Sequence, residues 1–187
     1  MAKFIKIAIF LVLVFAGGYA YASRQWQLVE EKSRVAFSAK TTLHDFNGRA
    51  RRLSGGFEQN LNLARGFVDV DIAGLTTDES DRDRNMYQMF DVSRYPQIHF
   101  VFDDTDITKV VDSHDGEIKF TGVMTIHNIS HPVTLISKGH MENGDLICEG
   151  QMHVHLKDYG LKPLSILGLI RVNDEIAVQY SIVFINS

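Results

Sequence analysis

Two histidines on one strand face are the first feature of this 187-residue sequence that could support chemistry. His153 and His155 alternate along a predicted strand, so their side chains point to the same side, about 7 Å apart. Neutral imidazole is the commonest metal ligand, and this pair could bind a transition metal if a neighbouring strand supplied a third ligand. The alternative is a polar strand surface that faces solvent. No cysteine pair supports a metal site at these residues. His127 and His131 flank a turn and are weaker candidates for metal ligands than the pair on the strand.

A third histidine, His44, is followed directly by Asp45 and Phe46, between the first strand and the pair Asn47-Gly48. A neighbouring carboxylate could hold the imidazole in one tautomer. The alternative is a loop histidine whose acidic neighbour faces water, because adjacency in sequence does not establish contact. If His44 has a role, we expect a hydrogen bond to a ligand head group rather than catalysis.

Sequence motifs of catalysis are otherwise missing. The chain has no Gly-x-Ser-x-Gly elbow, phosphate-binding loop or dinucleotide fingerprint. Cys148, the single cysteine, lies on a predicted strand without a basic neighbour and is expected to be an inert thiol. The acidic residues between 78 and 83 lack the glycine of a calcium loop and suit the start of a helix. We therefore predict a protein that is not an enzyme and has neither a catalytic residue nor a metal or cofactor beyond its bound ligand.

The first 22 residues have the three parts of a secretory signal peptide. Lys3 and Lys6 precede an apolar run over 7–16, and Ala20-x-Ala22 supplies the small residues of a cleavage site. Ten apolar residues are fewer than the roughly 20 that span a bilayer. We expect cleavage after Ala22 and a periplasmic mature domain over 23–187, with an uncleaved anchor as the alternative.

Composition and charge limit the function of that domain. With 45% hydrophobic and 22% charged residues, the chain is typical of a globular protein and unlike a disordered tail, a fibrous rod or a polytopic membrane protein. Without residues 1–22 it carries 17 basic and 23 acidic residues, a formal charge of −6. Since Arg49, Arg51 and Arg52 form only a local basic patch, no nucleic-acid partner is expected.

The dominant period after Ser23 is two, which is the pattern of strands with one apolar face. The runs predicted as strands lie at 34–40, 53–57, 68–72, 97–102, 118–121, 133–136, 151–156 and 176–184. We predict hairpin turns at Asn47-Gly48, Asp115-Gly116 and Asn143-Gly144. One short helix is predicted over 76–90, with Thr76 and Glu79 as a capping box.

Eight antiparallel strands without helices layered between them form a sandwich or a barrel, and eight is the number that closes a small barrel. Such an interior is either filled by its own side chains or holds one small apolar ligand. We therefore predict an all-β, eight-stranded antiparallel barrel with one short helix. The interior ligand and the filled core both remain open from these patterns alone.

Several segments together resemble the YceI-like family of exported lipid-binding proteins, from about Trp26 to Phe184. The matching pieces are Trp26-x-Leu28, Ser33-x-Val35-x-Phe37, Gly55-Gly56-Phe57, Val68-x-Val70-x-Ile72, Thr77, Arg82-Asp83, Phe90-Asp91-Val92-x-x-Tyr95-Pro96-x-Ile98-x-Phe100, Gly122-x-Met124-Thr125-Ile126, Pro132-Val133 and Leu156-Lys157-Asp158-Tyr159-Gly160. The resemblance implies a lipocalin-like extended barrel, a periplasmic location and an apolar tunnel that holds a long isoprenoid chain of polyprenyl or quinone type.

The resulting hypothesis is non-enzymatic binding, storage or transport of such a lipid in the barrel interior. Burial of its chain would contribute about 25 cal/mol per Å² of apolar surface. The expected ligand contacts are Phe37, His44, Phe46, Val70, Arg82, Asp83, Met86, Met89, Phe90, Phe100, Phe102, Val178, Tyr180 and Ile182. Expected partners are an isoprenoid lipid or quinone-like amphiphile, transient membrane contact and a second copy in a homodimer. The alternative function is a metal- or haem-associated redox accessory protein that uses its surface histidines.

Overall fold

The alternating runs form one antiparallel sheet, which the computed structural model describes for residues 23–163, 165–166 and 170–186. The strands are β1 (Arg24–Leu28), β2 (Arg34–Thr41), β3 (Phe46–Ala50), β4 (Leu53–Asn60), β5 (Leu63–Asp71), β6 (Leu75–Thr76), β7 (Gln97–Asp106), β8 (Asp115–Ile126), β9 (Ile129–Glu142), β10 (Asp145–His155), β11 (Ser165–Ile166) and β12 (Ile170–Asn186). The α-helices are α1 (Ser80–Phe90) and α2 (Thr108–Ser113), and three short 3-10 helices lie at Glu30–Lys32, Ile72–Gly74 and Leu156–Tyr159.

Eight of these strands close into a barrel. They run in the order β1-β4-β5-β7-β8-β9-β10-β12, and β12 pairs with β1 to complete the circle. Neighbours around the circle are antiparallel. The sheet continues from β12 into β2, β3 and β6, where β2 and β3 extend the lines of β1 and β4. The prediction of an eight-stranded antiparallel barrel is confirmed.

Period-two alternation decides which side chains face the interior. On β12, Val178, Tyr180 and Ile182 point inward and line a cavity. Gln179 is exposed, and the Ser181 hydroxyl donates to Glu149 on the outer surface. The register between β12 and β10 places Tyr180 opposite Gly150. The inward and outward faces of this strand are those that its sequence predicts.

The two ends of the barrel differ. At the end that we call the base, Trp26, Phe57, Phe102 and Phe184 pack as a buried cluster, which is the base cluster below. The Phe57 ring stacks 5.5 Å from Trp26 and meets Phe184 edge-on at 5.1 Å. At the opposite end, the α1 end, the helix lies between β6 and β7 in the chain. The base is closed by aromatic packing, whereas the α1 end is bordered by a helix.

Two of the three predicted turns lie inside strands. Only Asn143-Gly144 forms a hairpin turn, between β9 and β10, with φ angles of 53° and 90°. Asp115-Gly116 opens β8, and Asn47-Gly48 lies in β3. Gly48 faces Phe37, because a Cβ on this glycine would lie 2.2 Å from the ring. That glycine makes room for a neighbouring side chain rather than for a turn, which the local sequence does not reveal.

Both helices differ from the sequence prediction. Helix α1 begins at Ser80 rather than near Thr76, which belongs to β6, and Glu79 makes no side-chain capping bond. Helix α2 was not expected, because only one short helix was predicted. Its buried Val110 is one turn from Ile107, and six residues are too few for a clear helical period.

The described ranges contain no helix that is long and apolar enough to cross a bilayer. The predicted signal peptide over 1–22 and its cleavage after Ala22 lie outside the described residues.

Candidate ligand-binding site

A cavity of about 220 Å³ occupies the barrel interior between the base cluster and α1. Its walls come from inward residues of the strands and from one face of the helix. A dry apolar cavity of about 150 Å³ is enough to bind benzene in an engineered protein. The cavity is therefore large enough for part of an apolar ligand.

Twelve of the fourteen residues expected to contact a ligand line this cavity. They are Phe37, Phe46, Val70, Arg82, Met86, Met89, Phe90, Phe100, Phe102, Val178, Tyr180 and Ile182. They come from β2, β3, β5, α1, β7 and β12, and the pairing of β2 with β12 brings together positions more than 140 residues apart in sequence. Their role in binding stays a prediction.

His44 does not reach the cavity. It is exposed in the loop between β2 and β3 and is absent from the cavity wall. The Asp45 carboxylate accepts from the Thr41 amide at 3.1 Å rather than holding the imidazole. The Thr41 hydroxyl also accepts from the His44 amide at 3.0 Å. The neighbouring acid thus shapes the turn, as local side-chain hydrogen bonds commonly do.

Asp83 also lies outside the cavity wall, although Arg82 beside it lines the cavity. Its carboxylate accepts from the Thr76 hydroxyl at 2.7 Å and from the Thr77 amide and hydroxyl at 2.7 and 2.6 Å. Burial alone would raise the pKa of Asp83, but these hydrogen bonds hold that pKa below its ordinary value. Asp83 therefore joins α1 to the preceding strand and does not contact the interior.

Two further contacts hold α1 against the barrel. The Tyr87 hydroxyl donates to the Leu75 carbonyl oxygen. Asp78, between β6 and α1, accepts two hydrogen bonds from Arg49 and one from Arg51. The hydrogen bond from Arg49 lowers the pKa of Asp78, so the acid stays ionised at neutral pH.

Arg82 is the one charged side chain among the described residues of the cavity wall. Its guanidinium carbon lies 4.6 Å from the centre of the Phe46 ring. The attraction between a guanidinium and an aromatic ring contributes about 0.5–1 kcal/mol to stability at an exposed site and about 2 kcal/mol when it is desolvated. The contact ties α1 to β3 at the edge of the cavity.

The sequence prediction omitted more than half of the residues that line the cavity. The additional residues are Val35, Ala39, Val68, Leu75, Ile98, Phe120, Met124, Ile126, Leu135, Ser137, Cys148, Met152, Val154, Leu156, Val172, Ile176 and Phe184. Many lie two residues away from a predicted wall residue on the same inward face of a strand, so extending each face along its strand identifies them. Ser137 and Cys148 lie just outside the predicted runs at 133–136 and 151–156, and a serine on a strand is more often exposed.

Polar groups within the wall are few and close together in the sheet. The Ser137 and Tyr180 hydroxyls are hydrogen-bonded at 2.8 Å. Burial raises the pKa of Tyr180 and raises that of the Cys148 thiol to about 12. Both groups are therefore protonated at neutral pH. A neutral thiol is a poor nucleophile, in agreement with the expectation of an inert Cys148.

The histidine pair on β10 faces acidic residues of β12 on the outside of the barrel. His153 lies 3.9 Å from Glu175, and His155 lies 3.9 Å from Asp174 and from Glu175. Both histidine side chains are about half exposed. No group of three or more histidine, cysteine or acidic side chains within the described ranges could hold a metal ion.

Comparison with known sequences gives matches over most of the described chain. The sequence profile of the YceI-like domain family matches residues 26–184. A UPF0312 protein of Vibrio campbellii is 30% identical over 93 residues, which are 47% of each chain. The chain thus spans about half the length of that curated relative. A UPF0312 protein of Vibrio vulnificus is 23% identical over 140 residues, 71% of each chain.

Solved structures share the fold at low identity. A polyisoprenoid-binding domain from Saccharophagus degradans, implicated in plant cell wall breakdown, superposes with a TM-score of 0.76 at 15% identity and covers 87% of this chain and 98% of that one. BcnA of Burkholderia cenocepacia gives 0.69 at 16% identity, with 83% and 98% covered. The Campylobacter jejuni YceI protein gives 0.61 at 18%, with 78% and 87% covered. At these identities the likeness establishes the fold alone.

Proposed function

The chain belongs to the YceI-like domain family, and from this we propose that it binds a long-chain isoprenoid lipid inside its barrel and carries it through the periplasm without chemical change. The observation that carries the proposal is the cavity itself, whose lining among the described residues is apolar apart from Arg82, Ser137, Cys148 and Tyr180. Burial of an isoprenoid tail there removes apolar surface from water, and the tail has no polar group that would be left without a hydrogen bond.

The wall also suits a flexible chain. Met86 and Met89 face the cavity from α1, and unbranched thioether side chains adapt to irregular ligand surfaces. A polyisoprenoid-binding relative shares the fold. The periplasmic part of the proposal is supported by the signal-peptide features of residues 1–22.

The direct test is organic extraction of the protein as its native host exports it, followed by mass spectrometry of the extract. We expect one long apolar lipid with a repeating five-carbon unit. An unrelated exported protein purified in parallel identifies lipids that adhere to any protein. Repeated absence of a specific lipid from the extract would contradict the proposal.

The location has its own experiment. Fractionation of the host followed by N-terminal sequencing is expected to give a periplasmic protein that begins at Ser23. A retained Met1 would instead support the anchor alternative.

A further inference from the structure

One part of the cavity wall carries hydroxyl groups, although an isoprenoid chain has no group that could form a hydrogen bond with them. Ser137 on β9 and Tyr180 on β12 both pair with Gly150 on the strand between them, so the three residues form one row across the sheet. Their hydroxyl oxygens lie 2.8 Å apart. Ser137 is fully buried, and the Tyr180 ring lies along the interior.

The glycine between them makes this hydrogen bond possible. A Cβ on Gly150 would lie 2.3 Å from the Tyr180 hydroxyl oxygen, too close for any side chain. Without that atom, the phenol crosses β10 and reaches Ser137. A glycine in the interior of a strand costs stability, and it commonly marks a close approach of another group.

Two hydroxyl groups hold two hydrogens, and the bond between them uses one. Neither hydroxyl makes a second hydrogen bond within the described part of the chain. The other hydrogen is therefore free to bond an acceptor, and both residues line the cavity. A buried hydroxyl left without an acceptor costs free energy, so a ligand that supplies one is favoured.

The position of the pair indicates what kind of acceptor fits. Tyr180 lies four residues from Phe184 of the base cluster and eight from Val172 near the α1 end, or roughly 13 and 26 Å along the strand. In the described part of the chain Arg82 is the one charged wall residue, and it lies at the α1 end, so no cation from these residues accompanies the hydroxyls. A phosphate at this depth would be an unpaired charge, whereas a carbonyl oxygen needs only a donor.

We propose that the Ser137–Tyr180 hydroxyl pair binds a carbonyl oxygen of an uncharged lipid head group, such as a quinone ring, so that the lipid enters the barrel head first. The inference rests on the proposed function. In this arrangement the ring lies closer to the base cluster than to α1, and the chain extends towards Met86 and Met89 on α1.

Calorimetric titration of the delipidated protein tests this with paired probes. Decyl-benzoquinone and decylbenzene both have a decyl chain on a six-membered carbon ring, but only the quinone has carbonyl oxygens. We expect the quinone to bind about three- to tenfold more tightly, the range of one neutral hydrogen bond. Tyr180→Phe should remove that preference, and Ser137→Ala should reduce it. Tyr159→Phe, a buried tyrosine outside the cavity wall, is the matched control.

The other outcomes are separable. Dodecanamide tests a carbonyl without a ring, and a tyrosine-dependent affinity for it supports the subsite while broadening its ligand. If both ring probes bind equally and Tyr180→Phe changes nothing, the subsite is wrong, although the barrel still binds lipids. If affinity falls instead in Arg82→Gln, the head group lies at the α1 end, and the proposed subsite is wrong.

If neither probe nor a polyprenol binds, the proposed function itself fails. Thermal unfolding of each variant verifies that its fold is retained.

Discussion

The base and the α1 end of the barrel are built from the same residue types on the same alternating strands, yet they differ in packing. At the base, Phe57 is 4% exposed and contacts three other aromatic rings. Towards the α1 end, Phe37 and Phe46 keep part of their surface free on the cavity side. An inward apolar side chain is therefore core in one half of this protein and binding surface in the other.

The reason lies in what fills the axis of the barrel. At the base, Ile107 directly before helix α2 and Val110 within it are buried and belong to the same core cluster as Ile118 and Leu146. At the other end, α1 borders the cavity with methionines and is tied down at its edges by Arg82 and Asp83. The packed base stabilises the folded protein, and this allows the cavity wall towards the α1 end to remain partly unpacked for a ligand.

The largest expected difference comes from removing one aromatic ring at each end. Phe57→Ala should lower the free energy of unfolding by about 3–5 kcal/mol, because the cavity it leaves is enclosed by packed rings. Phe37→Ala should cost less than about 2 kcal/mol, because one side of that ring already faces a void. Urea unfolding of delipidated protein measures both. Equal losses would mean that the α1 half is packed like the base.

Adding the same ring at each end gives a smaller effect. Val110 is 1% exposed and touches the positions of Gly116 and Gly139, so Val110→Phe should overpack the base and cost about 1–3 kcal/mol. Val178→Phe should cost less than about 1 kcal/mol on delipidated protein, because the ring enters the cavity, but it should reduce lipid uptake. Thermal unfolding and a lipid titration test the pair. A loss of stability with unchanged uptake at Val178 would support a filled core there.

The smallest effect concerns the anchoring of α1. Asp83→Ala should cost about 0.5–2 kcal/mol at pH 7, because the carboxylate accepts hydrogen bonds from Thr76 and Thr77. The pKa of Asp83 is lowered in the folded protein, so this stabilisation is complete above the ordinary pKa of aspartate. It is lost as the pH falls through the lower folded-state value.

Stability measured between pH 7 and pH 2 should therefore show the difference between wild type and Asp83→Ala shrinking below about pH 4. Asp81→Ala is the matched control, since the Asp81 carboxylate is 75% exposed and pairs only with the exposed Arg84. A difference that stays constant with pH would mean that the ionised carboxylate is not what holds α1.

Much of the fold could be predicted because strand alternation is a local property. A period of two assigns side chains to faces without knowledge of the partner strand. For this reason seven of the eight barrel strands, all except β1, and seven of the residues that line the cavity follow from patterns such as Val178-x-Tyr180-x-Ile182. The resemblance carried by segments such as Tyr95-Pro96 added the family, which the match over 26–184 confirms.

Local patterns failed where a contact with another residue, which the pattern itself does not specify, fixes the position of a side chain. Asn47-Gly48 has turn chemistry, but Gly48 is a strand residue that makes room for Phe37. His44 and Asp83 have the side chains of a binding site, but hydrogen bonds to Thr41 and Thr76 keep them on loop and helix surfaces. Short-range hydrogen bonds decided these positions, and composition does not specify them.

By itself, the sequence determined the period of the strands, the inward faces and the absence of familiar catalytic motifs, all of which depend on neighbouring residues. Only the tertiary structure decided where the interior is packed and where it is hollow, because this depends on which helix covers each end. It also placed Ser137 beside Tyr180, 43 residues away, across a glycine that no local rule selects. Pairing of β9 and β12 on either side of β10 creates this contact, since it joins strands whose separation along the chain carries no information about their distance in space.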